Sequence, residues 1–255
     1  MRILLANDDG VSSPGILKWK EHLEKRGHEV WLVAPSQNRS TVGHSLTLHK
    51  PLRIQQIHER IYSVSGSPAD CVYTATRYIL KQEPDLILSG VNRGANLGHD
   101  VFYSGTVAAA REGALFGIKS MAVSLCFHFQ AAETECYWQS AFTFADEGID
   151  VLLKTDFDPQ QTVFNLNVPN TPAEKIKGLR MARQGRREYT NSIDVRTDPR
   201  GHAYYWLGGS YQGFEAIENS DCQFVEDGFV SLTPLRLDTT HDEVLKQIKK
   251  SRPAY

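Results

Sequence analysis

The chain has 255 residues, enough to bury about 70% of the surface that its unfolded form exposes, so core size sets no limit on a large α/β domain. Lys plus Arg number 28 and Asp plus Glu 30, a formal charge of −2; that balance argues against long polyanions as partners, yet leaves a small phosphate substrate open, because a metal and backbone amides can hold one without a global positive field. Cys71, Cys126, Cys136 and Cys222 lie far apart, with no Cys-x-x-Cys and no His pair at zinc-ligand spacing, and read as reduced thiols.

Ile3, Leu4, Leu5 and Ala6 form a continuous apolar run, the pattern of a parallel strand covered on both faces. Asp8 and Asp9 follow at its carboxyl end, where open α/β sheets bind ligands. Adjacent carboxylates repel unless a cation lies between them, and a divalent metal would resolve the conflict. The alternative is a polar Asn-Asp-Asp-Gly turn that accepts backbone N–H bonds. The N-terminus enters a core strand directly, and no apolar run approaches a membrane span, so a cytoplasmic chain without a signal peptide is expected.

Ser12-Ser13-Pro14 opens a helix through Ile16, Trp19 and Leu23 to Gly27, and Glu29 to Ala34 is the next strand. Because βαβ crossovers are right-handed, the loop from Ser36 to Thr41 opens on the same edge as Asp8 and Asp9. Residues 44 to 65 alternate apolar and polar, predicting a half-exposed antiparallel excursion. Ser67 caps a helix begun by Pro68, with Val72, Ala75 and Ile79 on its buried face.

Asp85 to Ser89 is a further core strand that runs into a loop with glycines at 90, 94 and 98. These allow sharp turns and close approach to a ligand, while Asn92 and Asn96 carry amides able to ligate a cation or donate to phosphate. Ser104, Gly105 and Thr106 then open an alanine-rich helix, either as a phosphate seat at its N-terminus or as a plain cap.

Ser120 to Phe127 predicts another strand, residues 131 to 153 a long helix and Thr162 to Val168 a strand. From about 175 the texture becomes polar, aromatic and rich in turns. Asp198-Pro199-Arg200-Gly201 links two runs of a long β-hairpin projecting from the body, whose Tyr204, Tyr205 and Trp206 suit a subunit interface or a fold back onto their own core. Gly228 to Leu237 returns as a strand, and Asp242 to Lys250 closes as a helix. The organisation expected is one domain over 1–255, with a Rossmann-like body at 1–175 and the arm, returning strand and closing helix at 176–255.

Topology thus brings Asp8 and Asp9, Ser40 and Asn92 to one sheet edge. A donor set of carboxylate, hydroxyl and amide oxygens suits a hard cation such as magnesium or manganese, and metal-assisted phosphoester hydrolysis is the reaction class these residues propose. A sugar-nucleotide transferase of similar fold and a nucleotide- and metal-sensing module without turnover are the alternatives.

Five blocks in order carry a specific resemblance: Ile-Leu-Leu-Ala-Asn-Asp-Asp-Gly at 3–10, Ala34-Pro35-Ser36-Gln37-Asn38-Arg39-Ser40, Ser67-Pro68-Ala69-Asp70-Cys71-Val72, Ser89-Gly90-Val91-Asn92 and Tyr103-Ser104-Gly105-Thr106-Val107. Together they resemble the SurE (survival protein E) family of 5′-nucleotidases, most strongly over residues 1 to 116. The resemblance implies a Rossmann-like fold with a C-terminal oligomerisation arm, hydrolysis of nucleoside 5′-monophosphates, one divalent cation (Mg or Mn), a cytoplasmic location, no nucleic-acid polymer or membrane as partner, and homodimers or homotetramers. Carried over by motif, Asp8, Asp9, Ser40 and Asn92 are metal ligands, Asp8 also being catalytic, and Asn96, Ser104, Gly105 and Thr106 line the phosphate site. His241 matches a histidine of the family's Asp-x-Thr-x-His segment and is a candidate acid for the leaving alkoxide, or else a residue of the first turn of the last helix. His44 and His99 are weaker candidates. The chain departs from the common pattern at Ser67, where threonine is usual, and at Ala108 and Arg111, where glycine and methionine are frequent. 3′-Nucleotides and short polyphosphate are further candidate substrates.

Overall fold

The N-terminal apolar run forms β1 (Arg2–Ala6), followed by α1 (Pro14–Lys25) and β2 (Glu29–Pro35); the computed structural model describes residues 1–127, 135–190 and 192–251. An antiparallel pair, β3 (Ile54–His58) and β4 (Ile61–Val64), comes next. The expected excursion from 44 is therefore shorter. Residues 44–53 are irregular because their polar groups are taken by the start of the next helix: Thr47 donates through N and Oγ1 to the Asp70 carboxylate (2.9 and 2.6 Å), and Ser67 Oγ donates to the Ser45 carbonyl at 2.6 Å. That helix, α2 (Pro68–Thr74), opens with a Ser67/Asp70 capping box and runs on as one π-helical stretch, Ala75–Ile79.

β5 (Leu86–Arg93) leads through a 3-10 segment, Gly98–Phe102, into α3 (Gly105–Leu115), then β6 (Ser120–Cys126), α4 (Trp138–Lys154) and β7 (Thr162–Pro169). The expected helix at 131 to 153 is thus described from Trp138 onward, and positions 131–134 lie outside the described residues. The remainder comprises β8 (Leu179–Met181), β9 (Arg187–Tyr189), β10 (Ser192–Thr197), β11 (Ala203–Gly208), β12 (Tyr211–Phe214), α5 (Asp221–Glu226), β13 (Val230–Arg236) and α6 (Asp242–Ser251).

Nine strands make one sheet in the order β3-β4-β2-β1-β5-β6-β7-β13-β8, with β4 through β7 parallel and β13 antiparallel to β7. The fold is α/β, mostly parallel, with helices on both faces. Alternate residues of β1 and β5 face opposite layers: Ile3, Leu5, Leu86 and Leu88 pack with Ile16 and Trp19 of α1 and Phe142 of α4, whereas Leu4 and Ile87 pack with Val72 of α2 and Ala109 of α3. Each of these strand side chains is fully buried, which stabilises the fold by about 2 kcal/mol apiece before entropy is counted. Since β8 and β13 pair with the central sheet, the residues beyond 175 are part of the body's sheet as well as of the projecting arm.

The chain leaves β1 toward β2 on one side and, after α2, returns to β5 on the other. The strand order therefore reverses between β1 and β5, and the carboxyl ends of these neighbours bound the crevice where ligands bind in doubly wound sheets. No helix among the described residues is long and apolar enough to cross a membrane.

Candidate active site

The turn after β1 is set by a residue that sequence reasoning passed over. Asn7 is fully buried; its Oδ1 accepts from Gly10 N (3.1 Å), while its Nδ2 donates to the Gly10 carbonyl (3.0 Å) and Ser13 Oγ (2.9 Å). Asn7 thereby closes the turn from within and leaves Asp8 and Asp9 at its head. The loop after β2 is joined to the same turn: Arg39 N donates to the Asp8 carbonyl at 2.7 Å and Val11 N to the Pro35 carbonyl at 2.9 Å. Ser40 follows directly on this tether, its N and Oγ both donating to Asn38 Oδ1 (2.8 and 2.7 Å).

Asp8 points at the N-terminus of α3. Thr106 Oγ1 donates to its Oδ1 at 2.5 Å, and a Cβ on Gly105 would stand 2.7 Å from Asp8 Cβ and 3.0 Å from Pro68 Cγ, so only glycine lets helix and carboxylate approach this closely. Ser104 caps the helix, its Oγ accepting from Val107 N at 3.0 Å. Ser104, Gly105 and Thr106 thus meet Asp8 at the helix end where free amides and the helix dipole favour an anion.

Asp8 is 5% exposed. Burial is the largest influence on it and raises its pKa from 3.8 to about 6, against the opposing hydrogen bond from Thr106 and with a further rise from the neighbouring Asp9 charge. Burial raises Asp9 as well, opposed by the backbone N–H and guanidinium of Arg93 at the end of β5. The ends of β1 and β5 meet at this contact, and Asn92, one residue earlier, is bent inward with its Nδ2 donating to the Gly94 carbonyl at 3.0 Å. The bend lies at a register shift between β5 and β6, between Ser89 and Asn92, and includes Gly90 at φ +132°.

The glycine loop is anchored from behind by side chains that sequence reasoning did not single out. Asn96 N donates to Asn167 Oδ1 (2.9 Å) and its carbonyl accepts from Asn165 and Asn167 Nδ2 (2.8 and 3.1 Å). Its own Nδ2 donates to Ser124 Oγ at 2.8 Å. Asn96 is thus an anchor of the loop, with its side-chain amide directed at β6. Asp221, also fully buried, accepts from the backbone amides of Gly98 (3.0 Å), Gly185 and Cys222 (both 2.8 Å). At the far end of the loop, Asp100 Oδ2 accepts from Arg187 Nη1 (2.7 Å) and Tyr189 Oη (2.6 Å). The signal available in the sequence was Asn165 and Asn167 at alternate positions of a core strand, polar residues where the pattern calls for apolar ones.

His241 lies apart. Its side chain is exposed at the start of α6, where Nδ1 accepts from Val244 N at 3.3 Å and its carbonyl accepts from Leu245 N at 2.9 Å. His44 Nε2 pairs with Glu112 Oε2 at 2.8 Å, and the His99 ring packs near Phe102.

The survival protein SurE family profile matches residues 3–191. The chain belongs to the SurE family. It is similar to the 5′-nucleotidase SurE of Erythrobacter litoralis, 45% identical over 97% of this chain and 98% of that one, and to that of Geobacter sulfurreducens, 45% identical over 94% and 90%. The crystal structure of the SurE protein from Aquifex aeolicus superposes with a TM-score of 0.83 at 41% identity, covering 98% of this chain and 99% of the other. The SurE family match includes Asp8, Asp9, Ser40, Asn92, Asn96, Ser104, Gly105 and Thr106, and ends before Asp221 and His241.

Proposed function

We propose that the chain hydrolyses nucleoside 5′-monophosphates to nucleoside and phosphate in the crevice between β1 and β5, with one divalent cation, magnesium or manganese. The observation that carries this reading is Asp8, a desolvated carboxylate held beside Asp9 and against the amino end of α3, in a chain akin to proteins named 5′-nucleotidases.

The donor set fits a hard cation. No group of three or more His, Cys, Asp or Glu side chains among the described residues could hold a metal, which leaves two carboxylates supplemented by neutral oxygens. Asp8, Asp9, Ser40 and Asn92 would supply these, and carboxylates whose charged forms are disfavoured when alone are those that a cation restores. A cation held by these residues would supply charge stabilisation at phosphorus and would make a nearby water more acidic.

The remaining work belongs to the chain. The first amides of α3, with Ser104, Gly105 and Thr106, seat the phosphate, and Thr106 fixes the Asp8 carboxylate that it bonds. Asn96 keeps the loop beside this seat on course through Ser124 and Asn167. His241 is assigned the proton for the departing nucleoside oxygen, on the strength of the family's C-terminal segment. The hairpin β10/β11 and α6 are assigned to contacts with a second copy: Trp206 is 59% and Leu207 88% exposed, and α6 buries none of its residues, leaving Val244, Leu245 and Ile248 in solvent. A cytoplasmic location belongs to the same reading.

The test is release of free phosphate from adenosine monophosphate with manganese and with EDTA. Release that requires the metal supports the reading; binding of metal and nucleotide without release makes the chain a sensor.

A further inference from the structure

A second cavity lies on the flank of α3, with a volume of about 380 Å³, bounded by Phe102, Arg111 and Leu115 on one side and by the chain from Leu235 to Thr239 on the other. None of Asp8, Asp9, Ser40, Asn92, Ser104 or Thr106 lines it. Its volume falls within the range of pockets that hold small molecules.

Arg111 is the group that asks for a ligand. It is half-buried, its guanidinium lies 5.5 Å from the centre of the Phe102 ring, and no Asp or Glu oxygen among the described residues pairs with it. The acids nearby are committed elsewhere. Glu112 is held by His44 at 2.8 Å, and Asp238 by Arg236 (3.4 Å) and Thr240 N (2.9 Å). Desolvation accordingly lowers the Arg111 pKa with no opposing carboxylate. A guanidinium that has given up water without gaining an anion is an incomplete ion pair, and its planar fork matches a phosphate group. Phe102, Leu115, Leu235 and Leu237 give the cavity an apolar wall, and His44, Gln184, Arg236, Asp238 and Thr239 complete its lining.

We propose that this cavity is a second oxyanion site, separate from the Asp8 crevice, which binds a phosphate-type anion on Arg111. The anion comes either as inorganic phosphate or as the phosphate of a nucleoside monophosphate, whose ring would lie against the apolar wall.

The site is tested by calorimetric titration of the full chain in EDTA, where metal-dependent turnover cannot confuse binding, with inorganic phosphate, adenosine monophosphate and adenosine as probes. Arg111→Met removes the charge while keeping an unbranched side chain; Arg111→Lys keeps the charge without the fork. The site is supported if Arg111→Met loses one bound equivalent, or weakens it at least about tenfold, with Arg111→Lys intermediate. Tighter binding of adenosine monophosphate than of phosphate identifies a nucleotide as the occupant, and equal binding identifies free phosphate. An Arg111→Met isotherm superposing on wild type, absence of binding by either anion up to about 10 mM, or adenosine binding as tightly as its monophosphate overturns it. Failure of the nucleotidase reading would appear in turnover with metal and leave these isotherms unchanged.

Discussion

Replacing Asp8 by asparagine should stabilise the metal-free protein while abolishing catalysis. Folding moves the Asp8 pKa from its ordinary 3.8 to about 6, a displacement of about two units, or about 3 kcal/mol at 1.36 kcal/mol per unit. The sign follows from a carboxylate whose folded pKa is raised: the penalty is present in full above about pH 6 and has vanished below about pH 4, when the group is protonated in both states. An asparagine side-chain oxygen can still accept from Thr106, and the Asp8 carbonyl bonded by Arg39 belongs to the main chain. Urea unfolding in EDTA at pH 7.5 should therefore show the variant more stable by about 1 to 3 kcal/mol, the upper bound being the whole shift. The gap should close as pH falls toward about 4, because wild type then gains the proton that asparagine never needs. With manganese the order should reverse, since metal binds and stabilises only the folded wild type. A variant less stable than wild type at pH 7.5 without metal, or a gap independent of pH, would refute the idea that Asp8 is a carboxylate held at a cost for a cation.

Replacing residues 191–209 by a short turn that joins Thr190 to Ser210, already bonded at 2.9 Å, should abolish the proposed self-association through the hairpin while metal affinity persists; light scattering of wild type and variant, with a manganese titration, checks both. A larger deletion from 179 would remove β8 from the sheet and the Arg187 and Tyr189 bonds to Asp100, and would damage the site for a different reason. Asp221→Ala leaves three backbone amides without their acceptor and should destabilise the fold by about 3 kcal/mol, raising KM and increasing hydrogen exchange at Gly98. His241→Ala should lower kcat for adenosine monophosphate by about 100-fold and affect a p-nitrophenyl ester much less, since that group leaves without a proton; equal losses would indicate positioning, and no loss would leave His241 as the capping residue of α6.

The features legible in sequence were those written locally. Continuous apolar runs marked β1, β2, β5, β6 and β7, and the crossover rule was enough to bring the Ser40 loop beside Asp8. The Asp198 turn was equally plain, with Gly201 N bonded to the Asp198 carbonyl at 3.0 Å between the hairpin strands. What escaped was anything decided by partners remote in sequence. Asn96 reads as a free ligand until Asn167, 71 positions away, is found at its backbone N–H and Ser124 at its side-chain Nδ2; Asp221 carries no local mark, and its part shows only when Gly98 and Gly185 arrive at its oxygens. Residues 44–53 alternate like a strand, but Asp70 and Ser67 claim their polar groups first. Arg111 looks like a solvated helix residue, and only the chain after β13, folding over it, makes a cavity of its surroundings.

The central claim is that Asp8 and Asp9 hold the cation at which phosphate is released. Its most direct test is a manganese titration in which free metal, by electron paramagnetic resonance, and phosphate release from adenosine monophosphate are followed in the same samples of wild type, Asp8→Asn and Asp9→Asn. Turnover should rise in proportion to occupancy and saturate at one manganese per chain, and each variant should lose both tight binding and release. Release that persists in EDTA, or either variant binding manganese as wild type does, would contradict it.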